Sequence, residues 1–258
     1  MTTKTFAPAP GAAPFGRMVR AQARMETRLL LRNGEQLLLA VVIPVLALVG
    51  GVVAARQLDL EFDHRAVDVL TPGVLALAVM STAFTSLAIA TGFERRYGLL
   101  KRLGASPLPR SGLLAGKIGA LLVVEVLQAV VIAAVGFGLG WRPDGGVAGI
   151  ALAVVGALLG TAAFASLGLA LAGVLRAEAT LAAANLVYLL LMMGGAVLLP
   201  RSSYGGAGAA LQVLPSAALG DSLRAALIDG QLALVPLLVL GAWAVAGSVL
   251  AARFFRWE

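Results

Sequence analysis

The chain has 258 residues, 60% of them hydrophobic and only 13% charged, with a formal net charge of +7. Soluble domains carry about 25% charged residues, so this composition places the chain in lipid. The absence of cysteine excludes disulfides, thiolate metal sites and a cysteine nucleophile.

Residues 1–15 are rich in Pro, Ala and Gly and are expected to be disordered. They lack the apolar h-region of a signal peptide. Residues 16–34 read as an amphipathic helix. Arg17, Arg20, Arg24 and Arg28 recur at three- and four-residue steps and share one face, with Met18, Ala21, Met25 and Leu29 as an apolar stripe beside them. Such a helix lies in the cytoplasmic interface. A pure membrane anchor and an anchor whose cytosolic face also touches a partner both remain open.

Six runs then reach the roughly 20 apolar residues that a bilayer core demands: about 37–55, 70–92, 118–140, 147–172, 179–199 and 231–252. Nothing alternates with period two, so these are helices rather than barrel strands. Pro44 in the first run and Pro236 in the last are expected to kink or locally break their helices. The loop 56–69 is acidic, external and solvated, and holds the only histidine, His64. In the second run Thr82, Thr85 and Ser86 lie on one side.

Residues 93–117 form a short, cation-rich hinge between the second and third runs. It cannot cross a bilayer, and it is suited to grip a soluble partner. Within it, G-L-L-A-G-K-I at 112–118 departs from a phosphate-binding loop, which needs four residues between its glycines and Ser or Thr after the lysine. The third run carries Glu125, the one acidic residue inside a span. A charge at mid-membrane costs about 2.5–3.5 kcal/mol, so Glu125 should face protein or water. Gln128, one turn on, could share its hydrogen bonds. A structural role for Glu125 and a role in binding a cationic substrate or carrying protons are both open.

Gly156 and Gly160 in the fourth run suit close helix packing. In the fifth, Asn185, Tyr188 and Met192 lie on one side. Together with Thr82, Thr85 and Ser86 they suit a substrate path, and helix–helix hydrogen bonding is the competing reading. Residues 200–230 are too polar and glycine-broken to span and too apolar for a free loop. They read as short helices, one over 216–228, dipping into the outer leaflet and packed on protein.

Of the twenty Lys and Arg residues, fifteen fall on one side of these spans and five on the other. The positive-inside rule therefore puts both termini in the cytoplasm. Those cations orient the protein and meet anionic headgroups, which removes nucleic acid as their partner. No hydrolytic motif or metal-ligand cluster is evident, so the chain is not expected to be an enzyme by itself, and any ATPase it works with would be another chain. The fold class expected is an all-α integral membrane protein.

Glu94-Arg95-Arg96-Tyr97-Gly98, followed by Arg102-Leu103, Ser106-Pro107-Leu108 and Gly116-Lys117, resembles a signature of six-helix ABC exporter permeases of the daunorubicin-resistance and type V group. Leu214-Pro215, Asp221, Arg224 and Gly230 resemble the same family's outer re-entrant segment. The resemblance implies two permease subunits, identical or homologous, and two copies of a separate ATPase subunit that bind ATP and Mg. It implies that residues 94–110 are a coupling segment seated in the ATPase, with Glu94, Arg95, Arg96, Gly98, Lys101, Arg102, Leu103 and Pro107 at the contact. It implies a multi-pass protein of a bacterial inner membrane. The substrate would be a small hydrophobic or amphipathic compound, such as a drug or antibiotic, moved outward, or else a lipid or lipid-linked glycan. Two readings from other classes stand beside it: a proton-coupled secondary transporter using Glu125, and a non-transporting membrane scaffold.

Overall fold

Six helices in the computed structural model are long and apolar enough to cross a membrane, the number expected from hydropathy. The structure describes residue 11, residues 13–59 and residues 62–254. Most of the tail expected to be disordered, residues 1–10 and 12, lies outside the described residues. Among the described residues there is no strand.

Helix α1, Phe15–Arg32, is followed at once by α2, Gly34–Gln57, the first span. The second span is α3, Ala66–Met80, continued through a π-helical stretch at Ser81–Ser86 into α4, Leu87–Arg96. A six-residue helix, α5, Leu99–Gly104, precedes α6, Arg110–Gly138, and α7, Gly146–Val174. The fifth span is α8, Ala177–Gly194. A 3-10 segment at Arg201–Ala207, the single turn α9, Gly208–Leu211, and α10, Pro215–Leu227, come before the last span, α11, Leu234–Phe254.

The second span is the central one, buried along most of its length. It packs against α2, α6, α7, α8 and α10. One core cluster joins Leu77, Met80, Phe84 and Leu87 to Phe164 of α7 and Leu219 of α10. The Phe84 and Phe164 rings meet edge-on with centroids 6.4 Å apart. The π-helical stretch breaks the i→i−4 pattern where α7 comes closest: a Cβ on Gly168 would lie 2.8 Å from the Phe84 carbonyl oxygen.

Glycine placement shows which helices approach closely. A Cβ on Gly160 would come within 2.6 Å of Leu219, and one on Gly156 within 2.8 Å of the Ser222 hydroxyl. The Gly156–Gly160 pair is therefore the seat of α10 on α7. On α6, a Cβ on Gly116 would meet Gln22 at 2.5 Å. The glycines of the G-L-L-A-G-K stretch thus make room for α1 along α6.

One expectation is corrected. Pro236 sits in the first turn of α11, where its missing N–H has no helical partner to lose, so it neither kinks nor breaks the span. In α1 the face against α6 carries Gln22, Ala23 and Glu26, while Met25 and Leu29 are exposed, free for a lipid surface.

Candidate functional site

The hinge is built on a buried ion triad. The Lys117 ammonium, side chain 6% exposed, lies 2.6 Å from Glu94 Oε1 and 3.2 Å from Glu26 Oε1. It thereby ties α4, α1 and α6 together beneath the hinge. A lone ammonium there would be costly, and two carboxylates surround it instead.

Arg95 turns inward. Its guanidinium donates to the carbonyls of Gly173 and Leu175, satisfying acceptors that the end of α7 leaves open. Arg96 is exposed, pairs with Glu178 at the start of α8 and lies 5.9 Å over the Tyr97 ring. Gly98, at φ +68°, takes the left-handed turn that separates α4 from α5. Leu100 is buried and pins α5 to the membrane domain, and Leu103 is half-buried. The Ser106 hydroxyl donates to the Leu103 carbonyl at 2.6 Å and accepts from the Leu108 N–H, shaping the turn that holds Pro107. What remains outward is a compact face of Tyr97, Leu99, Lys101, Arg102 and Pro107. Five of the eight hinge residues singled out in the sequence are thus of two kinds. Glu94 and Arg95 bind the hinge to the rest of the chain, while Lys101, Arg102 and Pro107 face away from it.

The six residues expected to line a substrate path divide differently. The Thr82 hydroxyl donates to Gln128 Oε1 at 2.9 Å, toward α6. Ser86 joins Thr82 on a cavity of only about 20 Å³ among Leu37, Ala40 and Leu121. The Thr85 hydroxyl is buried without a hydrogen-bond partner. Tyr188 of α8 is hydrogen-bonded to Ser81 and packs with Met192 against the central core. Asn185 is exposed on α8, among exposed Leu181, Leu186 and Leu189.

Glu125 and Gln128 have separate partners. Thr161 of α7 donates to Glu125 Oε2 at 2.7 Å, and Glu125 Oε1 is buried with none. Gln128 donates through Nε2 to the Ala40 carbonyl at 2.8 Å. Thr161 gave no signal in the sequence beyond being a hydroxyl in an apolar run.

The segment after α8 is held by Arg224. Its guanidinium donates to the Ala196 carbonyl at 3.1 Å and the Val197 carbonyl at 3.0 Å, and pairs with Asp221 at 3.0 Å. Burial pulls the guanidinium below its ordinary pKa, and the Asp221 charge draws it back up. Ser216 donates to the Gly195 carbonyl at 2.8 Å. Non-helical backbone at residues 195–198 therefore has its acceptors met by α10, as backbone buried in an apolar domain requires. Arg201 completes the set by pairing with Asp221.

The profile of the ABC-2 type transporter family matches residues 17–228, from α1 through α10. Comparison with curated proteins gives no match.

Proposed function

The chain belongs to the ABC-2 type transporter family as a membrane permease component, and from that premise we propose that it is half of an exporter driven by a separate ATPase. The outward face of the hinge carries this reading. Lys101 and Arg102 stand exposed on α5, beside exposed Tyr97, Leu99 and Pro107, on a segment braced from behind by the Glu26–Lys117–Glu94 triad and by Arg95. A push on α5 would pass into α4, α6, α1 and the end of α7 as one body, because buried ionic and hydrogen-bonded contacts link them.

The cations outside the buried set would orient docking of the ATPase more than add affinity. ATP and Mg would reside on that subunit, present in two copies. The termini and hinge would lie in the cytoplasm of a bacterial inner membrane, in keeping with the charge asymmetry. A second permease subunit would pair along the open side of α8, where an exposed Asn185 amide would be costly in lipid and is best met by protein. Cargo would be a small hydrophobic or amphipathic compound moved outward by alternating access. Family membership favours this over proton coupling, as does the absence of a second acidic group beside Glu125 among the residues lining its cavity.

The test is mild-detergent purification of the tagged chain from its native host. An ATPase subunit should accompany it in equal ratio and hydrolyse ATP. A chain that arrives alone and is indifferent to ATP overturns the reading.

A further inference from the structure

Helix α6 leans on α1, α2 and α3, while α7 packs on α10, α11 and α4. The two helices diverge and leave an apolar cleft between them. Leu122 and Leu158 line both of its halves. The half toward the α6 C-terminus is a cavity of about 390 Å³, within the range of small-molecule sites. Its walls include Leu75, Val79, Phe137, Trp141 and Val154, and Glu125 is the one charged residue among its lining residues. Exposed Val126, Ala129 and Ile150 border it, so the cavity opens sideways, toward the position of lipid.

The Glu125 side chain is only half satisfied by the protein. The residue is 8% exposed and anchored through Oε2 by Thr161, yet Oε1 is buried with no hydrogen-bond partner. An orphaned carboxylate oxygen is expensive where nothing solvates it. Glu125 is held in place by Thr161, has one acceptor unused, and is the residue that brings a carboxylate to the wall of an apolar cavity.

We propose that this half of the α6–α7 cleft binds a compact amphiphile bearing a protonated amine, its ammonium on the Glu125 carboxylate, which turns toward the cavity to meet it, and its apolar body along Val79, Phe137 and Val154. The site lies within one subunit and needs neither the ATPase nor a second permease. A charge-assisted hydrogen bond is the strong kind and would satisfy the orphaned oxygen. A phospholipid's amine is a poor fit. Glu125 lies thirteen residues before the end of α6 at Gly138, about 20 Å along the helix axis, whereas a headgroup stays at the membrane surface.

The experiment uses the full chain in lipid nanodiscs without ATP. Two photoactivatable probes are compared, a diazirine-bearing alkylamine and the alkyl alcohol of the same chain, with labelled peptides mapped by mass spectrometry. The amine should label residues on α6 and α7 around the cavity, saturably. It should do so about tenfold better than the alcohol, the scale of one charge-assisted hydrogen bond. Glu125→Gln should erase that preference. Val154→Phe, which narrows the cavity from α7 about two turns before Thr161, should reduce labelling by the amine, so the inference stays testable even where Glu125→Gln fails to fold. Equal labelling by amine and alcohol marks a slot for lipid tails and overturns the proposal. Amine preference that survives Glu125→Gln, or no saturable labelling at the cleft, overturns it as well.

Discussion

Gln128 supplies the hydrogen bond that Pro44 cannot. In α2 the Ala40 carbonyl is four residues before Pro44, which has no N–H to offer it. The Gln128 side-chain amide of α6 donates to that carbonyl at 2.8 Å, and its own oxygen accepts from Thr82 at 2.9 Å. One buried amide therefore repairs a proline defect in the first span and joins it to the second and third.

The consequence is a double-mutant cycle. Gln128→Leu should cost about 1–3 kcal/mol, the penalty of buried polar groups left without partners. In a Pro44→Ala, Thr82→Val background, α2 satisfies its own carbonyl and no hydroxyl is stranded, so the same substitution should cost much less. Thermal unfolding of the purified variants in detergent reads both. Equal costs in the two backgrounds would show that Gln128 is not serving Pro44.

Lys117→Met should be among the most damaging substitutions in α6. It leaves Glu94 and Glu26 facing each other without their cation, and removing one partner of a buried ion pair costs about 3–5 kcal/mol. Adding Glu94→Gln and Glu26→Gln removes the stranded charges and should recover most of the loss. Unfolding temperatures of the single and triple variants decide it. A Lys117→Met protein as stable as the parent would mean that the triad is not a brace.

Arg224 should tolerate no replacement, lysine included. Its planar guanidinium reaches the Ala196 and Val197 carbonyls and Asp221 at once, and an ammonium offers a point charge without that spread. Arg224→Lys should loosen the turn after α8, and Arg224→Leu should prevent its formation. Limited proteolysis between α8 and α10 reports the outcome: cleavage should rise in the order parent, lysine, leucine. Identical digestion of all three would remove Arg224 from its place as the holder of this turn.

Hydropathy made the six spans legible, because each long apolar run has one physical home. The positions of the breaks were less so. Pro236 looked like a kink only because the start of α11 is set by packing, which composition does not encode. The π-helical stretch at Ser81–Ser86 carries no residue signature of its own, and the close approach of Gly168 beside it comes from another helix. Gly116, beside Lys117, was readable as part of a motif, yet its task, admitting Gln22 of α1, depends on a contact across nearly a hundred residues of sequence. Charge in the hinge was plain, but whether an arginine points outward or caps a distant helix end is a tertiary fact.

That last distinction yields the sharpest test of the hinge. Arg95 and Arg102 both belong to the basic run, but Arg95 is spent on the Gly173 and Leu175 carbonyls while Lys101 and Arg102 are exposed. Arg95→Glu should therefore lower the unfolding temperature of the isolated chain, by leaving the α7 carbonyls unmet beside a carboxylate. Lys101→Glu with Arg102→Glu should shift stability by no more than about 0.5 kcal/mol, as surface substitutions do, and yet weaken retention of the ATPase. The measurement is paired: an unfolding curve of the purified chain and the amount of ATPase recovered with it. The proposed docking face stands if the exposed pair alters recovery without altering unfolding. If recovery is unchanged while the chain remains folded, α5 is a surface helix and the ATPase must seat elsewhere.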